Sequence, residues 1–338
     1  MDFDFLGMIV GMGDLLMEKV GLKKSELKPY HSEQIKSVKL DFTPKNLDEY
    51  IGQINAKLRI NTYLKKVRTI KMIHLLISGT RGHGKSTLAY IIADMLGLPI
   101  DTYVGRSFTK ENLINFLAKS QDDKLPHILF IDEVHGLSTE ITEYMLPILQ
   151  SFLLPEGNLK LKDFIMIGAT TNLEILQKKA SPFCDRCDTL ELEHYTSNDI
   201  KIIIKQFNDR LYHRNISEEI YDTISTNTRF NPRTSLSIFE DFIVEENIEQ
   251  VLKARQIIKN SLTTKDILVL THLAEIDKPV GIETLAIITQ QTKQTFMDLQ
   301  EPFLLQQGYL SRSARGRLIT NKGKELLRSL NDNSRAVN

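Results

Sequence analysis

Short apolar runs alternate with stretches of helical periodicity from about residue 42 to residue 195. The runs at residues 75–77, 128–131 and 164–169 have the length typical of strands buried in a parallel sheet. Between them, as in residues 54–67 and 88–96, apolar residues recur every three or four positions, which predicts amphipathic helices. This alternation of strands and helices predicts a three-layer α/β domain.

The pattern becomes helical after residue 195. Segments 197–213, 217–227 and 232–259 are amphipathic, and we expect helix caps at Ser197 and Ser217. A small all-helical second domain is therefore predicted.

The last section combines short helices with a hairpin. A capping box at residues 263–266 precedes helices at 282–288 and at 292–306, the second with a break at Pro302. Two short apolar strands then flank Arg315-Gly316. Two helices followed by a basic hairpin predict a winged helix, a frequent DNA-binding module.

Composition adds a local basic patch to this picture. The chain has 338 residues, of which 41% are hydrophobic and 25% charged, a size that allows two or three domains. Lysine plus arginine (43) balances aspartate plus glutamate (43), so net charge gives no indication of nucleic-acid binding. Residues 311–328, however, carry six basic residues and one acidic residue. Within them, Arg312, Arg315 and Arg317 are candidate DNA contacts on the predicted wing.

The sequence also indicates a compartment. Its two cysteines, Cys184 and Cys187, are too few for a disulfide framework and fit a reducing environment. No apolar run approaches the roughly 18 residues of a membrane span, and residues 1–5 are acidic where a secretory signal would be basic. We therefore expect a cytoplasmic protein with no membrane partner.

Residues 79–87 carry the clearest chemistry. They read Gly-Thr-Arg-Gly-His-Gly-Lys-Ser-Thr and fill every fixed position of the phosphate-binding loop Gly-x-x-x-x-Gly-Lys-[Ser/Thr], after an apolar run and before a helical pattern. The glycines allow backbone N–H groups to converge on phosphate oxygens. Lys85 would then reach the β- and γ-phosphates, and the Ser86 hydroxyl would bind Mg²⁺. The alternative is a chance glycine-rich turn, which would not be expected to lie between an apolar run and a helical pattern.

A pair of acids follows the second apolar run. Asp132 and Glu133 would stand at the carboxyl end of a buried parallel strand, the edge at which open α/β sheets bind ligands. There Asp132 would hold Mg²⁺ and Glu133 would polarise the attacking water as general base. Thr170, Thr171 and Asn172, after the third run, are polar side chains that could orient that water. A solvated acidic turn is the alternative.

With loop, acids, helical domain and winged helix in this order, the chain resembles the AAA+ ATPases and, more closely, the RuvB family of Holliday-junction branch-migration motors. The likeness runs from about Phe42 to Leu330. Its most specific segments are 47–53, 129–135, 167–171, 279–286 and 301–308.

The resemblance implies a role for each of several residues. Tyr50 and Ile51 would flank the adenine of ATP, beside a phosphate loop that includes Gly82, Gly84 and Thr87. Thr171 would be the first sensor of the nucleotide and Arg233, in Asn231-Pro232-Arg233 at a predicted helix start, the second.

The family works as a hexameric ring on DNA, in which an arginine of one subunit completes the site of the next. Arg186 falls where the family carries that arginine, so it inherits the role, and Arg315 would contact DNA. Cys187 replaces the family's phenylalanine after Arg186. The predicted hairpin at 152–163 is shorter than the family segment that docks on RuvA, so a RuvA-like partner is left open.

The predicted domains are an N-terminal extension at 1–40, the P-loop ATPase domain at 41–195, the helical lid at 196–262, the winged helix at 263–331 and a tail at 332–338. An ATP-driven motor on branched or duplex DNA is the leading interpretation. The alternatives are an ATP-gated DNA-binding or assembly protein like the AAA+ initiators, and a clamp-loader-like protein, which the winged helix disfavours. Cys184 and Cys187 also have the Cys-x-x-Cys spacing of zinc or redox sites, but no second pair exists.

Overall fold

A computed structural model describes residues 43–69, 72–155 and 159–336, so the N-terminal extension lies outside the described residues. The strands are β1 His74–Ser78, β2 Ile100–Val104, β3 Ile128–Asp132, β4 Leu153–Leu154, β5 Leu159–Lys160, β6 Ile165–Thr170, β7 Cys187–Glu191, β8 Ile257–Lys259, β9 Leu262–Thr263, β10 Leu310–Ser313 and β11 Gly316–Ile319.

The helices cover most of the remaining described residues. They are α1 Ile54–Thr69, α2 Lys85–Leu96, α3 Lys110–Asp122, α4 Thr139–Ser151, α5 Leu173–Cys184, α6 Ser197–Phe207, α7 Glu218–Thr226, α8 Pro232–Glu245, α9 Ile248–Ala254, α10 Thr264–Ile276, α11 Ile282–Ile288, α12 Lys293–Thr295, α13 Glu301–Gln306 and α14 Asn321–Ala336. None of the described helices is long and apolar enough to cross a membrane.

A five-stranded parallel sheet forms the centre of the first part of the chain. Its order is β2-β3-β6-β1-β7, and every neighbouring pair is parallel. Parallel strands with helices on both faces leave their carboxyl ends at one edge, the usual ligand edge of such sheets. The phosphate loop follows β1, the acid pair ends β3, and Thr171 follows β6, so all three predicted segments lie at this edge.

Alternate residues of the strands bury into a core on each face of this sheet. Leu75 and Ile77 pack with α1 and α2, whereas Leu76 and Ile131 pack with α3 and α4. This alternation explains why the strands read as continuous apolar runs rather than as alternating ones. The three strands predicted from such runs are confirmed. The edge strands β2 and β7 escaped prediction because their sequences, Ile-Asp-Thr-Tyr-Val and Cys-Asp-Thr-Leu-Glu, are half polar.

The helical segment departs from the prediction in two places. Thr196, not Ser197, caps α6 and forms a reciprocal capping box with Asp199, whereas the predicted position of Ser217 before α7 is right. The predicted helix at 232–259 is wrong in extent, because α8 ends at Glu245 and Glu246 takes a left-handed conformation (φ 53°). The short helix α9 and the strand β8 follow.

The winged helix is confirmed, with its own core around Val269, Phe296 and Leu304. Thr263 and Asp266 form the predicted capping box. The predicted helix at 292–306 is interrupted next to Pro302, as expected: a π-helical turn at Phe296–Gln300 ends there, and α13 begins at Glu301 with Pro302 in its first turn. The hairpin β10–β11 is the wing, and Val280 bridges to Arg317 as a further rung.

Candidate nucleotide site and DNA-binding surface

The phosphate loop has the backbone that its glycines predict. Gly82 and Gly84 have φ values of +82° and +84°, a region that side chains disfavour. A Cβ atom at Gly84 would lie 2.8 Å from the hydroxyl of Tyr50, and one at Gly82 would lie 2.5 Å from the Asn231 amide oxygen. Both conformation and close approach therefore require glycine here.

Lys85 begins α2 and is almost completely buried. Its Nζ donates hydrogen bonds to the carbonyl oxygens of Gly79 (2.7 Å) and Thr80 (3.1 Å). Burial lowers the pKa of Lys85, although Glu133 and Asp132 act in the opposite direction. An ammonium group has three donors, so a third remains for a phosphate oxygen beside the loop.

Ser86 and Asp132 form the candidate metal site. The Ser86 hydroxyl lies 3.4 Å from Oδ2 of Asp132, at the point where α2 begins and β3 ends. A hydroxyl and a carboxylate are hard oxygen donors, the kind that Mg²⁺ prefers in combination with phosphate oxygens. The donor set therefore fits magnesium, and the two residues predicted to bind it are brought together. Thr87 follows Ser86 in the first turn of α2.

Glu133 is held by two neighbours at the same edge. Its Oε2 accepts a hydrogen bond from Thr171 Oγ1 (3.1 Å) and lies 3.2 Å from Nδ1 of His135. His135 Nδ1 also lies 3.0 Å from Thr170 Oγ1. The structure thus joins the predicted base to the predicted sensor. It adds His135, which the sequence analysis missed because a lone histidine after an acidic pair carries no spacing signal.

Tyr50 lies behind the phosphate loop. Its hydroxyl donates to the carbonyl oxygens of His83 (3.0 Å) and Gly84 (3.3 Å), and burial raises its pKa well above the usual range. The half-buried Ile51 is the next residue along. These hydrogen bonds assign Tyr50 a role in supporting the loop, in addition to the adenine contact that the resemblance implies.

His83 packs behind the same loop. Its ring meets the rings of His194 and Tyr195 edge to face, with centroids 5.5 Å apart in each case, and only 2% of the residue is exposed. Burial lowers the pKa of His83 to about 4, and Nδ1 has no hydrogen-bond partner. His83 is therefore a neutral core residue of the loop, although its position is one that the loop motif leaves free.

The helical segment reaches the phosphate loop through Asn231. Its Nδ2 donates to the carbonyl oxygen of Arg81 (2.7 Å), while its Oδ1 caps α8. Arg233, two residues on in the first turn of α8, is exposed and near enough for its charge to act on Lys85. The helix start that was predicted for Arg233 is confirmed, and Asn231 is a loop contact that the sequence did not indicate.

Arg186 lies far from the phosphate loop of its own chain. It precedes β7, whose first residue Cys187 pairs with His74 at the start of β1, whereas the loop follows the end of β1 at Ser78. His74 and Ser78 are four residue steps apart along β1, which is about 13 Å at 3.3 Å per residue. The guanidinium is held by the carbonyl oxygen of Pro182 and by Oε1 of Gln150 (2.6 Å).

The cysteines that flank Arg186 are not arranged as a reactive or metal site. Both are free, and burial raises the pKa of Cys184 and of Cys187. Reactive thiols and metal ligands have lowered pKa values. Among the described residues no group of three or more metal-ligating side chains exists, so the structure favours a plain packing role for the Cys-x-x-Cys spacing.

The three wing arginines fall into two classes. Arg312 and Arg317 both bind Glu301, which is buried in α13, with the shortest distances at 2.8 Å and 2.7 Å respectively. Burial opposes ionisation of Glu301, but the hydrogen bonds from both arginines lower its pKa overall. Arg315 at the tip of the wing is exposed. Arg317 is mostly engaged inside the domain, and Arg315 is the freest of the three to meet DNA.

Comparisons with known proteins agree with this arrangement. The family model described as the Holliday junction DNA helicase RuvB P-loop domain matches residues 42–191, and that of the RuvB C-terminal winged helix domain matches residues 259–328. The RuvB subunit of the Holliday junction branch migration complex from Lactobacillus helveticus is 30% identical over 312 residues, which cover 85% of this chain and 88% of the relative.

Further relatives extend the match. The RuvB subunit from Phytoplasma mali is 31% identical, with 88% of this chain and 95% of the relative covered. The solved structure of the Thermotoga maritima RuvB branch migration motor superposes with a TM-score of 0.73 at 29% identity, covering 85% of this chain and 98% of that one. By its sequence, its fold and the order of its site segments, the chain belongs to the RuvB family.

Proposed function

We propose that this protein is an ATP-driven DNA motor that moves the branch point of Holliday junctions in recombination and repair. The observation that carries the proposal is the setting of Glu133, whose carboxylate meets Thr171 and His135 at the sheet edge that bears the phosphate loop. A carboxylate fixed beside a phosphate site is what water activation requires. The relatives named above are subunits of Holliday junction branch migration complexes, and the DNA substrate in this proposal is taken from that likeness.

In this proposal the phosphate loop and the residues around it bind ATP together with its magnesium ion. Backbone N–H groups between Gly82 and Gly84 and the start of α2 bind phosphate oxygens, and Lys85 adds a positive charge. Ser86 and Asp132 hold Mg²⁺, which supplies charge neutralisation on the phosphates when bound. Tyr50 and Ile51 border the base of the nucleotide, and Thr87 continues the loop into α2.

Hydrolysis then depends on Glu133 as general base, with Thr171 and His135 orienting its carboxylate. Arg233 acts from the first turn of α8 as a second sensor, because its charge already acts on Lys85. Arg186 completes the site of a neighbouring subunit in a homo-hexameric ring. Its location before β7, at the end of the sheet opposite to its own phosphate loop, supports action on another subunit rather than on its own.

The DNA-binding surface is proposed to be the wing, with Arg315 as the main contact and Arg312 and Arg317 as lesser ones. The domain boundaries set out above and the cytoplasmic location remain predictions. A RuvA-like partner also remains a prediction. The hairpin β4–β5 has two residues in each strand, a short platform for such a partner.

Steady-state ATP hydrolysis with and without four-way junction DNA tests the proposal, together with a strand-exchange assay on the same junction. We expect hydrolysis that Glu133→Gln lowers by at least about 100-fold, the scale of a lost general base, with ATP binding retained. Glu140→Gln, on the exposed first turn of α4, is the matched control. Hydrolysis that is equal in Glu133→Gln and wild type would refute the site. DNA binding and hydrolysis without strand exchange would favour the initiator-like alternative.

A further inference from the structure

The segment 228–233 touches both the phosphate loop and the winged helix. It lies between the two regions that the family models match, 42–191 and 259–328. Asn231 contacts the phosphate loop, and Arg233 is near enough for its charge to act on Lys85. Arg229, two residues before Asn231, faces the other way, toward the winged helix.

Arg229 makes a bridging set of contacts. Its Nη1 donates to the carbonyl oxygen of Leu299 (2.5 Å), and its Nη2 binds Oδ2 of Asp266 (2.5 Å). The guanidinium also lies over the ring of Phe303, 4.5 Å from the centroid. Its backbone N–H donates to Ser261 Oγ (2.8 Å). One side chain thus binds two separate elements of the winged helix, α10 and the turn before α13.

Among these partners, Asp266 depends most on Arg229, because its carboxylate is buried. It is fully buried, and its Oδ2 also accepts hydrogen bonds from the backbone N–H and the hydroxyl of Thr263 at the start of α10. A buried carboxylate needs a compensating charge, and among the described residues Arg229 forms its one ion pair. The position of Arg229 is therefore tied to the first turn of α10.

The other end of the segment contacts the phosphate loop directly. Asn231 Nδ2 donates to the Arg81 carbonyl oxygen inside the loop, and Asn231 Oδ1 caps α8. Movement of the loop or of the start of α8 therefore displaces a backbone that is two residues from Arg229.

The backbone between these ends is held in an unusual conformation. Arg229 and Phe230 are consecutive residues with left-handed φ values of 50° and 53°. Residues other than glycine occupy this region only when their surroundings hold them there. Such a turn is a stiff connection between its two ends and not a slack linker.

We infer that Arg229 is a positioning residue that couples the nucleotide site to the winged helix, and that it does so through the left-handed turn at 229–230. A change in the hydrogen bond between Asn231 and the phosphate loop shifts the turn, and Arg229 carries this shift to α10 and α13. Coupling of this kind is reciprocal, so DNA on the wing also alters the nucleotide site. The inference rests on the proposed function, because it takes the phosphate loop as the ATP site and the wing as the DNA site.

The experiment compares wild type with Arg229→Gln in the full-length chain. Hydrolysis is measured with and without duplex DNA, and DNA affinity is measured by fluorescence anisotropy with ADP and with a non-hydrolysable ATP analogue. We expect basal hydrolysis and ADP-state DNA affinity to stay within about two-fold of wild type. The change in DNA affinity caused by the analogue should fall to near unity from about 5- to 150-fold, and the stimulation of hydrolysis by DNA should be lost.

Arg255→Gln is the matched control. Arg255 makes a comparable set of contacts, to Asp241 (2.6 Å) and to Ser237 (2.7 Å and 3.0 Å), but all within the helical segment. Its loss should leave the coupling intact. Equal loss of coupling in both variants would overturn the inference, because it would then follow from general loosening of the helical segment.

Two further variants separate coupling from folding. Arg229→Gln alone leaves the Asp266 carboxylate buried without its ion pair. The double variant Arg229→Gln/Asp266→Asn removes that carboxylate, so the coupling can be measured in a folded protein even if the single variant unfolds. Arg229→Lys keeps the ion pair with Asp266 but loses the planar fork that also reaches Leu299. We expect it to restore the melting temperature without restoring the coupling.

Coupling retained in the double variant overturns the inference alone. A wild-type protein that hydrolyses no ATP overturns the proposed function as well, so the two failures are distinguishable. Wild-type hydrolysis that DNA does not affect, together with DNA affinity that the nucleotide does not affect, overturns the inference and leaves the ATP site standing.

Discussion

The burial of His83 inside the phosphate loop predicts a specific dependence of stability on pH. Its pKa falls from 6.5 to about 4 on folding because burial disfavours the charged ring, with His194 and Lys85 adding to the effect. Between these two values the unfolded chain binds the proton and the folded chain does not. The stability is therefore fully present above about pH 6.5 and is lost as the pH falls toward 4.

The size of the effect follows from the shift. At about 1.4 kcal/mol per pKa unit, the difference amounts to about 3 kcal/mol of unfolding free energy between pH 7 and pH 4. His83→Leu removes the titrating group and also the Nδ1 atom that has no hydrogen-bond partner. We expect this variant to be at least as stable as wild type at pH 7, because an unpaired buried polar atom costs about 1–3 kcal/mol.

Urea unfolding at half-unit steps from pH 4 to pH 7.5 measures this prediction. The quantity of interest is the wild-type free energy minus that of His83→Leu, because other groups that titrate in this range cancel in the difference. His213→Asn is the control: it removes an exposed histidine from a left-handed position (φ 51°) that asparagine tolerates. A difference that stays flat with pH, or one that grows in favour of wild type as the pH falls, would refute the reasoning.

Three further outcomes are expected. Arg186→Ala should abolish hydrolysis and leave ATP binding intact, and mixing it with Lys85→Ala subunits should restore part of the activity, as measured by a coupled ATPase assay. Arg315→Ala should weaken DNA binding at all sequences and lower the slope of log affinity against log salt by about one unit. Glu301→Gln should lower the unfolding free energy by about 3 kcal/mol, because it leaves Arg317 without its carboxylate inside the winged helix.

The first of these outcomes has a result that would contradict it, and the other two have control variants on the same chain. Mixed rings that stay inactive while each variant still assembles would contradict action of Arg186 across subunits. Arg214→Ala removes an exposed arginine of the helical segment that lies 3.8 Å from Glu246, and its salt slope should equal that of wild type. Glu283→Gln removes a glutamate from a surface pair with Lys293 and should change stability by less than about 1 kcal/mol.

Local patterns were sufficient to predict most of the nucleotide site. The phosphate loop depends on residues that are adjacent in sequence. The acid pair Asp132 and Glu133 directly follows an apolar run, so the end of β3 marks its position. The parallel sheet then brings these segments to one edge. The same reasoning predicted the capping box at Thr263 and the wing hairpin.

Contacts between distant residues could not be predicted in this way. Asn231 and Arg81 are 150 positions apart, and the hydrogen bond between them depends on where the helical segment docks. The ion pair that holds Arg317 against Glu301 likewise requires α13 to pack beneath the wing. A count of charges therefore assigned Arg312 and Arg317 to DNA with the same weight as Arg315, although the fold engages the first two.

The cysteines beside Arg186, of which Cys184 is buried and Cys187 half-buried, have a practical consequence for labelling. Maleimide and other alkylating reagents attack the thiolate, and burial raises the pKa of both native thiols. Since the sequence contains two cysteines in all, both should react slowly at neutral pH without being replaced. A cysteine introduced at the exposed Ala314, next to Arg315 on the wing, would then be the fast-reacting thiol and could carry a fluorophore that reports on the wing alone.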